Sequence, residues 1–501
     1  MANHLFDAVF APLAGRDGDL LILPDGRRMS GDAFLRMVAR MAGALRGLGL
    51  EKGDRIAVQV GKSPEALACY GAAVALGAVF LPLNTAYTAA EVGYFLGDAT
   101  PKVFLCDGAK AAALAPVAAR AGSRLVGLNA DGTGELADLA AVAAEVAPVA
   151  CGPEDLAAIL YTSGTTGRSK GAMLTHRNLL SNAEVLVREW RFTGDDVLLH
   201  ALPIFHTHGL FVASNVALLS GAAMIWLPGF EADAVMRMLP QATAMMGVPT
   251  FYTRLLEEPG LTRDLVGHVR LFVSGSAPLL AETHEAWEAR TGHRILERYG
   301  MTETNMNTSN PYEGERRAGT VGFPLPGVEV RILAEGREVG PEEVGMIEVR
   351  GPNVFAGYWQ MPEKTREEVR ADGWFITGDL GKRDADGYVQ IVGRAKDLVI
   401  TGGYNVYPKE VELLLDEVPG VAESAVIGLP HPDFGEAVFA VLVARKGAAL
   451  EPGAVLAAIA GRLARFKQPK AAVVVESLPR NTMGKVQKNL LRESYKGWFS
   501  T

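Results

Sequence analysis

The segment Tyr161-Thr-Ser-Gly-Thr-Thr-Gly-Arg-Ser-Lys-Gly171 places three glycines, five Ser/Thr hydroxyls and a lysine within eleven residues. Glycine lets backbone N–H groups close on an anion, hydroxyls donate hydrogen bonds, and Lys170 adds positive charge. The pattern is a phosphate cradle. It lacks the Walker spacing, because the lysine follows Gly167 by three residues. A solvated Ser/Thr/Gly loop is the competing reading. An apolar strand before it, Leu156-Ala-Ala-Ile-Leu160, and a helix-like run from His176 favour phosphate.

Further groups could act on a phosphate or a carboxylate. Glu303, in Tyr299-Gly-Met-Thr-Glu303, suits a hard cation that bridges phosphates. Lys485 ends Leu478-Pro-Arg-Asn-Thr-Met-Gly-Lys485; Lys488, three residues on, reads as its solvated counterpart. Pro203-Ile-Phe-His-Thr-His-Gly209 holds His206 and His208, but no third metal ligand stands at a suitable spacing. Arg254 closes Met246-Gly-Val-Pro-Thr-Phe-Tyr-Thr-Arg254, and a guanidinium can grip a carboxylate through two bonds.

In wording and order these segments resemble the adenylate-forming superfamily of acyl-CoA synthetases, peptide-synthetase adenylation domains and luciferases, over essentially the whole chain. The resemblance implies that a carboxylate attacks the α-phosphorus of ATP, expels pyrophosphate, and is then passed as an acyl group to coenzyme A. It implies ATP, Mg²⁺ and coenzyme A as partners of the reaction. Thr162, Ser163, Gly164, Thr165, Thr166, Gly167 and Lys170 would cradle phosphates, with Thr166 and Glu303 at the metal. Ala277, Pro278, Glu297, Arg298, Tyr299, Gly300, Met301 and Thr302 would line the nucleotide, with Thr302 at the α-phosphate. Asp379, in Thr377-Gly-Asp379, and Arg394 would meet the ribose. Lys485 would bond the carboxylate and α-phosphate during adenylation. Lys396 would stand at the pivot of a mobile lid, where many relatives carry aspartate, and Gly402-Gly403 would line the pantetheine tunnel.

Three segments narrow the choice of acid. Met245 to Arg254, Phe272-Val-Ser-Gly-Ser-Ala-Pro278 and Glu297 to Thr308 resemble malonyl-CoA synthetases. By that resemblance Arg254 and Ser276 hold the distal carboxylate, His206 gates the acyl site, and Thr207 and Met306 limit substitution at the α-carbon. A dicarboxylate needs such a cation, because an unpaired buried carboxylate costs several kcal/mol. The expectation is an ATP-dependent malonate or methylmalonate:CoA ligase. Its rivals are a short-chain or aryl acyl-CoA synthetase, a carrier-protein-loading enzyme, and a nucleotide sensor without chemistry.

The elements that must position these residues follow from periodicity. Strand and helix signals alternate through the first part, as parallel sheets covered by helices require. Ser30 reads as an N-cap, and Phe34, Val38, Met41 and Leu45 recur at helical spacing. Residues 130–150 are Ala-rich and read as a connection. Beyond Gly327 the pattern turns to a smaller, mainly antiparallel sheet. The expected fold class is α/β: a large N-terminal portion of several subdomains over 1–394, then a mobile α+β lid over 395–501.

A chain of 501 residues exceeds one core. Its net charge of −8 makes nucleic acid a poor partner. Cys69, Cys106 and Cys151 match no zinc or redox spacing and suit a reducing compartment, so a cytoplasmic location is expected. No signal peptide is visible at the N-terminus. Ala66 to Leu83 is uncharged, but its Gly77 and Pro82 predict a buried helix turning into a strand rather than a membrane span.

Overall fold

The computed structural model describes residues 2–162, 169–401, 404–481 and 484–499. The chain divides into two compact units, Met1–Glu329 with Val349–Phe375 and Val330–Glu348 with Ile376–Thr501. The expected class holds: α/β layers come first, and a smaller α+β part follows. The boundary expected after Arg394 falls within the second of these units.

The first unit carries a nine-stranded and a seven-stranded sheet. In the larger sheet, Leu296–Met301, Leu271–Ser274, Ala244–Gly247, Val197–His200, Ala223–Trp226 and Asp19–Ile22 are neighbours and run parallel. Ala244–Gly247, Leu271–Ser274 and Ala223–Trp226 are buried at every position, as strands covered on both faces must be. Gly247 pairs with Ser274 and Ser274 with Glu297, so the first two strands end level while Leu296–Met301 runs on beyond them.

The helix Pro64–Leu76 is apolar all round and buried. Its Tyr70 packs against Phe80 of the smaller sheet and against Phe211. It stops at Gly77, whose φ of 65° closes the turn into the strand Val79–Pro82. Among the described residues no helix is long and apolar enough to cross a membrane. Ser30 caps Gly31–Gly47, which buries Phe34, Val38, Met41 and Leu45 as their spacing predicts.

One local reading needs correction. Residues 130–150 are not merely a connection: they contain the helix Glu135–Val142, whose buried contacts are Leu136 and Ala140. A stripe that narrow is hard to see in an Ala-rich run. The strand and the helix expected to flank the phosphate segment are both present. Leu156–Thr162 pairs antiparallel with Lys170–Thr175, and the helix His176–Glu189 starts only beyond, under a Thr175–Asn178 capping box.

The second unit opens with a five-stranded sheet. Its longest strand, Phe375–Arg383, pairs antiparallel with Val389–Arg394 and alternates buried and half-buried positions. Thr377-Gly-Asp379 therefore lies within a strand rather than at a turn. Beyond it, Val421–His431 and Gly435–Ala444 form a long hairpin, and Ala471–Val475 runs parallel to its second strand. Pro408–Asp416, Pro452–Ala460 and Lys488–Tyr495 are the helices of this part. The helix Pro452–Ala460 ends with Gly461 as its C-cap.

Candidate active site

Four candidate segments leave the carboxyl ends of adjacent parallel strands. Residues 203–209 follow Val197–His200, the helix Pro249–Leu256 follows Ala244–Gly247, residues 275–278 follow Leu271–Ser274, and residues 302–304 follow Leu296–Met301. Crevices beyond such strand ends are where open α/β sheets bind ligands.

At this edge Ser276 takes a left-handed φ of 73°, and its Oγ lies 3.1 Å from His208 Nδ1. Any side chain on neighbouring Gly275 would fall on the Arg298 guanidinium. Arg298 is only 3% exposed. Among the described residues its Nε and Nη2, His208 Nε2 and Thr207 Oγ1 have no hydrogen-bond partner. Burial pushes the Arg298 guanidinium down to about 9, although Tyr252 and Glu297 pull the other way. Burial, then the positive charge of Arg298, hold His208 well below the usual histidine range, so its imidazole is neutral. Buried polar groups left without partners are expensive, and here they share one edge of the sheet. Arg254, by contrast, stands exposed on the last turn of Pro249–Leu256.

The 203–209 segment is closed from behind by residues that no sequence motif marked. A side chain at Gly209 would strike the Pro203 carbonyl. His200 Nε2 lies 2.9 Å from the Gly209 carbonyl, while Lys62 Nζ is 2.8 Å from His200 Nδ1 and 2.7 Å from the His200 carbonyl. Only an N–H on Nε2 can meet a carbonyl, so Nδ1 accepts from Lys62. The same ammonium lies 4.3 Å from the centre of the Trp226 ring. Its signal, a lysine after the strand Arg55–Gln59, resembles any surface charge; the partner lies far along the chain.

The nucleotide candidates sit on a hairpin of Leu296–Met301 against Asn305–Ser309, irregular between Tyr299 and Gly300. Gly300 has no room for a side chain, because the Asn305 carbonyl and Met306 occupy that space. Thr302 and Glu303 lie in the turn, and Glu303 is buried. Tyr358 Oη is 3.0 Å from Glu303 Oε1 and 2.6 Å from Glu368 Oε2. Lys170 Nζ meets both Glu368 oxygens at 3.0 and 3.1 Å and lies 4.1 Å from the Tyr358 ring centre. Lys170 and Glu303 therefore belong to one chain of contacts. Ala277 is half-buried, Pro278 is exposed, and Glu297 Oε1 accepts the Leu279 N–H at 3.1 Å. Ser163, Gly164, Thr165, Thr166 and Gly167 lie outside the described residues, as do Gly402 and Gly403.

In the second unit Asp379 and Arg394 stand directly opposite in neighbouring strands, with Arg394 Nε 2.7 Å from Asp379 Oδ1. Lys396 follows in a short turn. Burial and then Arg394 push its ammonium down to about 8, with Asp397 and Asp379 pulling it up and Arg492 adding to the fall. Lys485 lies in the last hairpin. Lys488 is not the solvated counterpart expected of it: its ammonium meets the buried Glu412 at 2.5 Å. The burial comes from long-range packing of the final helix, which sequence spacing does not reveal.

Residues 13–359 match the AMP-binding enzyme family, and residues 410–485 match the AMP-binding enzyme C-terminal domain. The chain belongs to the AMP-binding enzymes. Within that family it groups with the malonate–CoA ligases. The crystal structure of ATP-bound MatB from Rhodopseudomonas palustris is 57% identical and matches with a TM-score of 0.97 over 100% of both chains. The malonate–CoA ligase of Arabidopsis thaliana is 36% identical over 494 residues, covering 89% of this chain and 79% of that protein. The mitochondrial malonate–CoA ligase of Homo sapiens is 38% identical over 460 residues, covering 83% and 78%. A feruloyl-CoA synthase from Amycolatopsis is also 36% identical, over 465 residues and 92% of each chain. The acid must therefore be argued from the site itself.

Proposed function

We propose that this enzyme joins malonate to coenzyme A through a malonyl-adenylate, with ATP converted to AMP and pyrophosphate, and that it also takes methylmalonate. The observation that carries the choice of acid is the buried Arg298 guanidinium with free N–H groups beside Ser276 and His208. A planar fork with unused donors suits a carboxylate, and the low-dielectric surroundings strengthen that pair. Ser276 and neutral His208 complete the polar set. Arg254 is exposed, so it belongs at the mouth of the site, where it attracts the second charge of the acid. Thr207 and Met306 border the same region and limit what the α-carbon can carry, and His206 stands at its entrance.

With the far carboxylate held, the near one is left to attack the α-phosphorus, and positioning supplies much of the rate. Thr302 and Lys485 oppose the charge that builds on the phosphoryl oxygens. Thr162, Lys170 and the segment between them take the leaving pyrophosphate. Tyr299, Gly300 and Met301, with Ala277, Pro278 and Glu297, border the base, and Asp379 with Arg394 receives the ribose. Lys396 marks the pivot from which the later, thioester-forming arrangement is reached, with Gly402 and Gly403 at the thiol.

Glu303 suits a Mg²⁺ ion that neutralises phosphate charge. Tyr358 Oη lies 3.0 Å from Glu303 Oε1 and 2.6 Å from Glu368 Oε2, so the hydroxyl orients the Glu303 carboxylate. Among the described residues no group of three His, Cys, Asp or Glu side chains could cage a metal. One carboxylate plus phosphate oxygens and water is the usual Mg²⁺ set.

The three cysteines are unpaired and buried. This fits a reducing compartment, and we place the enzyme in the cytoplasm, although the mammalian relatives are mitochondrial. The test is an acid panel in ATP–pyrophosphate exchange, followed by thioester formation with coenzyme A. Malonate and methylmalonate should far exceed acetate, butyrate and benzoate. Equal turnover of benzoate would favour an aryl-CoA synthetase instead.

A further inference from the structure

The chain on both sides of Lys485 is fastened to the rest of its unit. Arg480 bridges antiparallel to Val486, the Asn481 N–H donates to the Lys485 carbonyl at 2.9 Å, and Asn481 Oδ1 accepts the Lys485 N–H at 2.9 Å. The backbone of Lys485 is thus held from both sides by one residue. On the first side the Arg480 guanidinium donates to the Gly484 carbonyl and also to Glu423 on the strand Val421–His431. On the second side Lys488 opens the helix Lys488–Tyr495 and meets Glu412 on the helix Pro408–Asp416.

The second contact is the unusual one. Side-chain exposures are 17% for Lys488 and 8% for Glu412, so both charges are largely withdrawn from water. Glu412 Oε1 also accepts the Val426 N–H at 2.9 Å, and Lys409 lies 4.0 Å from Glu412 Oε2. A buried ion pair adds little net stability over an apolar replacement, so its value lies in fixing geometry. Here it fixes the residue three positions beyond Lys485. Glu412 and Glu423 stand on a helix and a strand that pack together, which makes one rigid base for both sides.

We propose that Glu412 and Glu423 are positioning residues for adenylation, acting through Arg480 and Lys488 to fix the chain on either side of Lys485 so that its ammonium arrives in register. This rests on reading Lys485 as the lysine that meets the carboxylate and α-phosphate. Misplacing a reacting group by about 1 Å costs on the order of 10²-fold in rate. A general loss of folding in this part would instead impair both half-reactions, because residues 395–403 serve the thioester-forming step.

Lys488→Met is the variant of choice, because Lys409 and the Val426 N–H still compensate Glu412. Arg480→Gln, on the more exposed side, is the second variant should the first fold poorly. Single-turnover assays follow adenylation from malonate and ATP, and separately thiolation of preformed malonyl-adenylate. Lys488→Met should slow adenylation by about 10- to 100-fold while thiolation stays within about twofold, and Lys488→Arg should restore adenylation. Lys485→Ala runs beside them. Unchanged adenylation in both Lys488→Met and Arg480→Gln, with Lys485→Ala inactive, overturns the clamp alone. Parallel loss of both half-reactions overturns it too. Full adenylation by Lys485→Ala removes the reading beneath it.

Discussion

Replacing Arg298 by methionine should separate binding from folding, because the same buried charge that serves the ligand burdens the empty protein. Burial pushes this guanidinium down to about 9, which weighs on the order of a few kcal/mol against its charged form. Arginine stays protonated in proteins, so that penalty is carried until an anion arrives. Exchanging buried charges for an apolar side chain of similar volume stabilises proteins by about 1–4 kcal/mol. Arg298→Met should therefore melt higher by several degrees, at about 2–4 °C for each kcal/mol. The distal carboxylate of malonate loses its partner in the same variant. An uncompensated buried charge costs about 3–5 kcal/mol, so kcat/KM for malonate should fall by about 10²- to 10³-fold. Acetate has no second carboxylate, and its slow turnover should stay unchanged or rise. The assay is pyrophosphate exchange with each acid, beside thermal melting of both proteins. Unchanged malonate turnover, or a lowered melting temperature with parallel loss for every acid, would refute the reasoning. Arg254→Ala is the control: an exposed cation should contribute about 1 kcal/mol or less.

Three further outcomes follow from the geometry. Lys396 has a folded pKa of about 8, below its unfolded value near 10.5, so its charge burdens the folded state at low pH. Lys396→Met should thus be more stable than the parent below pH 8, and the difference should vanish as pH rises toward 10.5; a constant difference across melts in that range would contradict it. Lys62→Met removes the support of His200 and of the 203–209 turn, and should raise KM for malonate by about tenfold while KM for ATP holds, which steady-state kinetics will report. Glu303→Gln should need a higher Mg²⁺ concentration for pyrophosphate exchange and lose about 10²-fold at fixed Mg²⁺, whereas an unshifted Mg²⁺ titration would place the ion elsewhere.

Sequence legibility followed the range of the interactions. Local signals held: Ser30 capped its helix, Gly77 turned the apolar run, and Phe34, Val38, Met41 and Leu45 faced the core. Motif wording led to Glu303, Asp379 and Lys485, but the contacts that give those residues their setting span large separations. Lys62 meets His200, Lys170 meets Glu368, and Lys488 meets Glu412, and none of these pairs follows a helix or strand period. The two arginines illustrate the difference. Arg254 is an acyl-site cation by resemblance to malonyl-CoA synthetases, and its side chain is exposed on the last turn of its helix. Arg298 belongs by resemblance to the nucleotide segment Glu297 to Thr302. Strand alternation turns its guanidinium beneath Gly275, next to Ser276 in the chain, a neighbour that no local spacing reveals.

A structure with a stable malonyl-adenylate analogue bound would bear on the choice of acid without kinetics in between. The distal carboxylate should accept hydrogen bonds from Arg298 at about 2.7–2.9 Å, with Ser276 completing the contact. A carboxylate lying against Arg254 alone, with the Arg298 Nε and Nη2 still unpartnered, would contradict it.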